Sequence, residues 1–336
     1  MRPEHVALLR CPSCGASLSI LPVRPVPSAP IEEGTLGCDS CGALTPVRRG
    51  VARFVPVKNY AAGFGLQWLR HARTQYDSAN GTSISADRFF AQTQWPRCLQ
   101  GETVLEVGSG SGRFTEQAAA TGATVVSVEY SEAVDANSAS NGLLPNVLIV
   151  QADLFALPLA PASFDRVTCL GVLQHTPDPA AAFQCLAAMV RPGGHLSVDI
   201  YRRPRGIERL LKTRYLVRPI TRRIPPHLLY PLTRAYVRAM WPLARLIHRV
   251  PRVGRRINWA LQIADYRDIY PLSERQLREW AILDTFDMLA PRYDSPQDGA
   301  TLREWFQRAG FSDVEVAPGP NGVDGRGRRL SVGYGG

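Results

Sequence analysis

The chain has 336 residues, of which 45% are hydrophobic and 20% are charged, and its formal net charge is +10. This mix is typical of a globular protein of about two domains, and it excludes a disordered, collagen-like or coiled-coil chain. No apolar run reaches the roughly 20 residues of a membrane-spanning helix, and the first residues lack the apolar stretch of a signal peptide. We therefore expect a cytoplasmic protein.

The positive charge is concentrated in one segment. Residues 202–256 contain sixteen Lys or Arg residues and a single acid, Glu208, so this segment carries +15 and the rest of the chain carries −5. The basic character is therefore a local feature and not a property of the whole surface.

Two Cys-x-x-Cys pairs lie near the N-terminus, Cys11 with Cys14 and Cys38 with Cys41. Two residues between thiolates let both sulfurs reach one ion at about 2.3 Å, and a glycine after each pair permits a tight turn. In a cytosolic chain this pattern indicates metal binding, since redox motifs seldom occur as matched pairs. We predict a structural Zn²⁺ bound by all four cysteines in a zinc ribbon over residues 1–57.

From residue 101 onward, short apolar strands alternate with helices. The predicted strands are Thr103–Gly108, Thr124–Tyr130, Val147–Asp153, Phe164–Val172 and His195–Tyr201. Helices follow the first, second and fourth of these strands. This alternation predicts an α/β fold with a doubly wound, mostly parallel sheet.

The alternation stops at residue 202, and the rest of the chain falls into two parts. Residues 202–298 are basic and aromatic, with helical period. Residues 299–336 are predicted to hold a helix, Thr301–Ala309, and the strands Val314–Ala317 and Leu330–Tyr334.

The predicted organisation therefore has four parts. Residues 58–100 form a helical connector after the ribbon, and residues 101–201 together with 299–336 form the core. Residues 202–298 form a basic helical insertion that serves as a cap or as a substrate-binding element.

A glycine-rich turn, Glu106-Val107-Gly108-Ser109-Gly110-Ser111-Gly112, follows the first predicted strand and opens a helix. Its glycines let a ligand approach bare backbone. Glu129 ends the next strand, where a carboxylate accepts hydrogen bonds from ribose hydroxyls. A carboxylate at Glu106 would repel the pyrophosphate of a dinucleotide, but it would attract the ammonium of a methionine moiety. The central Gly110 excludes the serine that a hydrolase elbow needs.

These residues resemble the first motif, E/D-x-G-x-G-x-G, of the class I S-adenosylmethionine-dependent methyltransferases. Further segments that resemble this family are Gln151–Leu154, Phe164–Val167, Leu170–His175, Arg191–Leu196 and Leu302–Phe311. The resemblance implies a Rossmann-like methyltransferase sheet and S-adenosyl-L-methionine as cofactor. It implies cofactor contacts by Glu106, Gly108, Gly110, Gly112, Glu129, Asp153, Leu154 and Gly171, with Asp153 at the adenine amino group. A nicotinamide enzyme is the alternative.

The N-terminal part resembles two further groups of methyltransferases. A zinc ribbon precedes the catalytic domain of a bacterial 23S rRNA guanine methyltransferase, so an RNA substrate stays open. Residues 36–70, which include Phe64-Gly65-Leu66-Gln67-Trp68, resemble a large bacterial methyltransferase family that pairs such a ribbon with an FG-x-QW helix. The segment Asp284–Asp294 resembles an insertion of the same family. That resemblance does not name a substrate.

The basic insertion contains a predicted amphipathic helix. Its apolar residues Leu232, Tyr236, Met240, Leu243 and Ile247 fall within about 80° of one another, and Arg234, Arg238, Arg245 and Arg249 cluster roughly opposite. Pro242 is expected to kink or split this helix.

Three interpretations of this helix compete. It is a cap packed on the core with its arginines in solvent, a docking surface for anionic lipid or a lipid-linked acceptor, or a grip on RNA phosphates. Because no recognisable RNA-binding motif accompanies the charge, RNA ranks below a small or lipid-linked acceptor, and peripheral contact with an anionic membrane surface remains open.

Methyl transfer from a sulfonium is an in-line displacement, for which the protein mainly positions the two reactants. A hydroxyl acceptor also needs a base, and His175 is the best-placed candidate because it follows the fourth strand at the ligand-binding edge. Asp178 and Tyr201 lie at similar edges, and a loop histidine that only packs on the cofactor is the alternative for His175. We predict a methyltransferase that acts at O or N of a small-molecule, glycan or lipid-linked acceptor, with an RNA methyltransferase as the alternative.

Overall fold

The computed structural model describes residues 1–21, 30–56, 59–204, 206, 208 and 212–331. Eleven strands within these residues form one sheet: β1 Ser19–Leu21, β2 Gly34–Gly37, β3 Leu44–Arg48, β4 Val51–Arg53, β5 Thr103–Val107, β6 Thr124–Glu129, β7 Val147–Gln151, β8 Phe164–Cys169, β9 Val190–Ile200, β10 Phe311–Gly319 and β11 Gly322–Arg329. Their spatial order is β1-β2-β3-β4-β7-β6-β5-β8-β9-β11-β10.

The helices that surround this sheet are short except in the insertion. They are α1 Ala62–Arg70, α2 Asp77–Asn80, α3 Ile84–Thr93, α4 Arg113–Ala120, α5 Val134–Asn141, α6 Pro179–Met189, α7 Arg214–Thr221, α8 Pro226–His248, α9 Gly254–Ala260, α10 Glu274–Leu289 and α11 Gly299–Arg308. In the described part of the chain, no helix combines the length and the hydropathy needed to cross a bilayer.

The six central strands, β4-β7-β6-β5-β8-β9, run parallel to one another. Strands β5, β6 and β7 are almost fully buried along their length, as expected when helices cover both faces of a parallel sheet. The predicted α/β, doubly wound and mostly parallel sheet is therefore confirmed. The fifth predicted strand begins earlier than expected, at Val190. Pro192-Gly193-Gly194 does not end the strand but interrupts its regular pairing, with Gly193 in a left-handed conformation at φ +78° and a register shift in the pairing with β8.

The N-terminal strands continue the central sheet, so the ribbon does not stand apart from it. β4 pairs with β7 in parallel, with Ala52 opposite Val150, and β3, β2 and β1 add antiparallel strands at that edge. Leu9 and Leu36 are fully buried in the same apolar cluster as Leu148 of β7. Loss of order in the N-terminal part would therefore expose one edge of the central sheet.

The opposite edge of the sheet is a C-terminal hairpin. β11 pairs antiparallel with β9, and β10 pairs antiparallel with β11. The predicted strand Leu330–Tyr334 is wrong at its start, since β11 ends at Arg329, and residues 332–334 lie outside the described part of the chain. The sequence of β11 is rich in glycine and arginine, so it lacks the apolar alternation by which strands are recognised.

The insertion packs as a helical layer. α8 buries Leu229, Thr233, Val237, Trp241 and Ala244, mainly against α10. The apolar face that the cap interpretation would place against the core is largely in solvent: Leu232, Tyr236 and Leu243 are exposed, and Met240 and Ile247 are only partly buried. Pro242 does not end the helix, which continues to His248.

Candidate functional site

A cavity of about 920 Å³ lies at the carboxyl edge of the parallel strands. Residues that follow β5, β6, β7 and β8 form its floor, which is the edge where open α/β sheets bind ligands. The connector helix α1, the insertion helix α10 and the turn between β10 and β11 form its other walls. Six of the eight predicted cofactor residues line it: Gly108, Gly110, Glu129, Asp153, Leu154 and Gly171.

The glycine turn has a conformation and a packing that only glycine satisfies. Gly108 and Gly110 have φ +79° and +56°. A Cβ atom on Gly108 would lie 2.2 Å from a methyl group of Val172, and one on Gly110 would lie 3.0 Å from the indole nitrogen of Trp68. The backbone of the glycine turn therefore lies between Val172, in the loop after β8, and Trp68 of α1.

Glu129 is fixed by hydrogen bonds at the end of β6. One carboxylate oxygen accepts from the backbone N–H of Gly110 at 2.8 Å, and the other accepts from the N–H and the hydroxyl of Ser131 at 2.8 and 2.6 Å. Asp153 lies at the end of β7 and caps the following turn by accepting from the N–H of Phe155 at 3.0 Å. Both carboxyl groups reach the cavity from adjacent strands.

Glu106 and Gly112 lie outside the cavity wall. The Oε2 atom of Glu106 accepts from the hydroxyls of Thr115 and Ser127 at 2.5 and 3.2 Å, and burial raises the pKa of this carboxyl to about 7. Its Oε1 atom is buried without a hydrogen-bond partner among the described residues. The predicted contact of Glu106 with an ammonium group therefore stays a prediction. The hydrogen bonds that are present connect Glu106 to α4 and to β6, next to the glycine turn.

Asp199, at the end of β9, helps to position the residues of the site, and the sequence analysis did not predict this. It is fully buried, accepts from the backbone N–H of Gly171, and accepts from Arg88 at 2.8 Å and Gln92 at 3.1 Å. It therefore ties the loop after β8 to helix α3. An acid at the carboxyl end of an otherwise apolar strand was the available signal.

His175 lies beside the cavity between the rings of Phe64 and Tyr201, with ring centroids 5.1 and 5.3 Å away. Its Nδ1 atom is 3.1 Å from the carbonyl oxygen of Tyr293. A carbonyl only accepts, so Nδ1 carries the proton and Nε2 carries the lone pair. Burial lowers the pKa of His175, which keeps the ring neutral, and Nε2 is without a hydrogen-bond partner in the described part of the chain.

Asp178 and Tyr201, which the sequence analysis placed at the same edge of the sheet, differ in their contacts. Asp178 is the N-cap of α6 and accepts from the N–H groups of Ala180 and Ala181, each at 3.0 Å, so its role is structural. Tyr201 lines the cavity, and its hydroxyl donates to Asp287 at 3.2 Å.

Two polar residues of the connector, Gln67 of α1 and Gln75 of the turn after it, lie at the cavity although the sequence pattern did not predict this. Gln67 and Gln75 line the cavity and are almost fully buried. Within the described residues, both amide atoms of Gln67 and the Oε1 atom of Gln75 have no hydrogen-bond partner.

The end of the cavity formed by the insertion is aromatic and carries both signs of charge. Its lining residues include Trp259, Tyr266, Tyr270 and Trp280, together with Lys212, Arg214, Asp284 and Asp287. Tyr266 donates a hydrogen bond to Asp284, and burial raises the pKa of Asp284 to about 6. This end suits an acceptor with a flat or apolar body and a few polar groups.

The four predicted metal ligands come together at the N-terminal edge of the sheet. The sulfurs of Cys11, Cys14, Cys38 and Cys41 all lie within 4.8 Å of one another. Sulfurs about 2.3 Å from one tetrahedral zinc would be roughly 3.8 Å apart, so this set fits the ion. In each pair the first cysteine carbonyl accepts from the glycine N–H four residues later at 2.8 Å, which gives two matching knuckles.

Residues 105–198 match the family model described as a methyltransferase domain. The chain thus contains a class I methyltransferase domain of Rossmann-like topology, as the first motif predicted.

Curated relatives match about a third of the chain. The ubiquinone biosynthesis O-methyltransferase of Cupriavidus pinatubonensis is 36% identical over 109 residues, which cover 31% of this chain and 43% of that one. The protein of the same name from Pseudomonas fluorescens is 39% identical over 101 residues, covering 29% and 44%. This chain therefore matches less than half the length of these relatives. The comparisons do not support the RNA alternative.

Solved structures resemble the chain only weakly. Phosphoethanolamine N-methyltransferase 2 of Haemonchus contortus, in complex with S-adenosyl-L-methionine, has a TM-score of 0.42 and 16% identity, and the match covers 82% of this chain and 48% of that one. The S-adenosylmethionine-dependent methyltransferase SibL has a TM-score of 0.39 and 17% identity, with coverage of 76% and 55%.

Proposed function

We propose that the protein is an S-adenosyl-L-methionine-dependent methyltransferase whose acceptor is a hydroxyl group of a small, lipid-soluble molecule. The observation that carries this proposal is one continuous cavity lined both by the glycine turn with Glu129 and by His175, a neutral histidine whose buried Nε2 atom is without a hydrogen-bond partner among the described residues. The methyltransferase domain and the O-methyltransferase name of the curated relatives also support it.

The cavity residues fit the cofactor. Glu129 is held at the strand end where a carboxylate can accept from ribose hydroxyls, and Asp153 lies on the next strand, where it can accept from an adenine amino group. The bound cofactor supplies an electrophilic methyl group.

His175 would accept the proton of the acceptor hydroxyl at Nε2 as the oxygen attacks the methyl carbon. The carbonyl of Tyr293 holds the ring by its Nδ1–H at 3.1 Å, so the lone pair keeps one direction. An amine that reacts as its free base does not need this group, which favours oxygen over nitrogen as the methylated atom.

The proposed class of acceptor is based on the residues of the insertion that line the cavity. Trp259, Tyr270 and Trp280 present ring surface, which favours an aromatic or isoprenoid body over a sugar. Tyr201 with Asp287 can hydrogen-bond a polar group of the acceptor beside His175.

The four cysteines would hold a structural Zn²⁺. Four thiolates fill a tetrahedral site and leave no open position for a substrate, so this ion has no catalytic role in the proposal.

Replacing Glu129 by glutamine is expected to raise the dissociation constant of S-adenosyl-L-methionine about tenfold or more. The change removes the charge that accepts from ribose, and hydrogen bonds to a charged group contribute about 1.5–3 kcal/mol. Isothermal titration calorimetry on the full chain measures the effect. Glu132→Gln, an exposed neighbour, is the matched control and should bind as the wild type does.

The proposed function is tested with methyl-labelled S-adenosyl-L-methionine. The full chain is incubated separately with the lipid-soluble, small aqueous and total RNA fractions of the source cell, and label is counted in each product. We expect label in the lipid-soluble fraction, on a group that resists mild base as an ether does. Label confined to the small aqueous or the RNA fraction, or no binding of S-adenosyl-L-methionine, would contradict the proposal.

A further inference from the structure

Helix α8 presents a stripe of leucines to solvent. Leu228, Leu232, Leu243 and Leu246 are 51%, 59%, 45% and 60% exposed, and they lie within about 60° of one another around the helix axis. The helix buries a different face against the protein, so this stripe is a second apolar face. A continuous exposed apolar stripe is unusual on a protein surface and indicates a binding surface.

Neighbouring elements of the insertion also expose apolar side chains. On α7, Leu216 and Ile220 are 61% and 65% exposed. After α8, Val250, Val253 and Ile257 are each exposed by more than 40%. We call these residues and the leucine stripe together the apolar surface.

A row of arginines runs along α8 beside the leucine stripe. Arg234, Arg238, Arg245 and Arg249 are exposed and occupy the sector between the leucine stripe and the buried face. Among the described residues, only Arg245 of these four lies within 4 Å of a carboxylate, that of Glu274. The row therefore presents largely uncompensated positive charge next to apolar side chains.

Two of these arginines line a groove of about 320 Å³ between α1 and α8. Arg70 of α1 faces Arg234 and Arg238 across it, and His227, Tyr230, Pro231, Ala235 and Leu66 complete its wall. The wall thus brings three guanidinium groups together without a carboxylate. Guanidinium groups gathered in this way are the usual donors to a phosphate.

We propose that the apolar surface docks on a bilayer that contains anionic phospholipids, with a lipid phosphate bound in the Arg70–Arg234–Arg238 groove. The leucines enter the boundary between head groups and acyl chains, as on interfacial amphipathic helices, while the arginines stay at the level of the head groups. The charge of +15 over residues 202–256 complements a negative surface.

Charge also distinguishes a bilayer from a second copy of the chain. In a two-fold dimer built on this surface with its α8 helices antiparallel, the arginine rows of both copies would lie on the same side of the contact, and like charges at such short range repel. The proposal does not depend on the reaction, since it concerns a surface outside the cavity.

Co-sedimentation of the full chain with vesicles tests the proposal. Vesicles of phosphatidylcholine alone are compared with vesicles that contain 30% phosphatidylglycerol, at low and at high salt. We expect binding to the anionic vesicles only, weakened by salt. Arg234→Glu combined with Arg238→Glu should lower the partition coefficient about 25-fold or more, since each basic residue near an anionic bilayer contributes about fivefold.

A second pair of variants tests the apolar contribution. Leu232→Asp combined with Leu246→Asp should lower binding to anionic vesicles about tenfold, and it should do so at high salt as well. Leu44→Asp and Arg48→Glu, both exposed on the N-terminal hairpin, are matched controls that should bind as the wild type does. Each variant is checked for a wild-type circular dichroism spectrum and for cofactor affinity.

Four outcomes would overturn the proposal. The first two are equal binding to neutral and anionic vesicles, and loss of binding in the controls equal to that in the α8 variants. The other two are a stable dimer in light scattering that the leucine variants dissociate, and binding of RNA without binding of vesicles. Failure of methyl transfer would leave these vesicle measurements unaffected, so the two proposals fail separately.

Discussion

Replacing His175 by asparagine is expected to lower kcat by about 10²- to 10⁴-fold, the usual contribution of a positioned general base. Asparagine keeps a polar group of similar size but cannot take up the acceptor proton. The affinity for S-adenosyl-L-methionine should change little, because the change concerns the acceptor. Turnover is measured with the acceptor fraction that takes label, and cofactor affinity by calorimetry.

The pH profile separates catalysis from packing. Burial lowers the pKa of His175, so the neutral form already dominates at pH 7 and wild-type turnover should be flat above neutrality. It should fall as the pH drops through that lowered pKa, because the ring then gains a proton at Nε2. The residual activity of His175→Asn should lack this acid limb.

His195→Asn is the matched control. His195 is partly buried, and burial also lowers its pKa, but its side chain lies on β9 away from the cavity wall. The control should keep wild-type kcat and pH profile. A His175→Asn enzyme with wild-type kcat, or with the same acid limb, would show that this histidine only packs against its neighbours.

Replacing Cys38 by serine is expected to remove the bound zinc and to lower the melting temperature by about 10 °C or more. Structural zinc contributes apparent free energies of roughly 10–16 kcal/mol in small domains, so even partial loss is large for a protein of this size. The effect should reach the core, because β4 pairs with β7 and the ribbon shares its apolar cluster with the central sheet.

The zinc content per chain and the melting temperature are measured together. The wild-type chain should hold one zinc, and the Cys38→Ser chain much less. Cys98→Ser changes an exposed cysteine outside the cluster and should keep both values. A Cys38→Ser chain that retains one zinc, or a wild type that melts alike with and without a strong chelator, would contradict a structural metal.

The central sheet, and much of its edge at the cavity, could be predicted from the sequence. The apolar pattern of each strand and the residues at its end lie within a few positions of each other there. β5, β6 and β7 are short apolar runs, each followed by a glycine, an acid or both. Because parallel strands end at one edge, the residues after them had to meet, and Gly108, Glu129 and Asp153 do line one cavity. The two cysteine pairs could be recognised for the same reason, because each Cys-x-x-Cys motif lies within four consecutive residues.

Contacts between distant segments were beyond the sequence pattern. Nothing in Val51–Arg53 indicates that it pairs with Val147–Gln151, almost a hundred residues away, and nothing near Asp199 indicates Arg88 as its partner. Gln67 and Gln75 are polar residues that only the tertiary packing buries.

The insertion shows a different limit. α8 carries two apolar stripes, and periodicity cannot tell which one packs, because both have the helical period. Val237, Trp241 and Ala244 pack on the protein, and the stripe of Leu232 and Leu243 stays in solvent. Of the three interpretations left open by the sequence, the exposure of this stripe favours the lipid surface over a cap that packs by the same face.

The most direct test of the central claim is a crystal structure of the full chain with S-adenosyl-L-homocysteine. We predict that the nucleoside lies at the carboxyl edge of the sheet, with its ribose hydroxyls at Glu129 and its adenine beside Asp153, and with the sulfur facing the part of the cavity lined by His175. A product bound elsewhere, or a cavity that stays without ligand when calorimetry shows binding, would contradict the account.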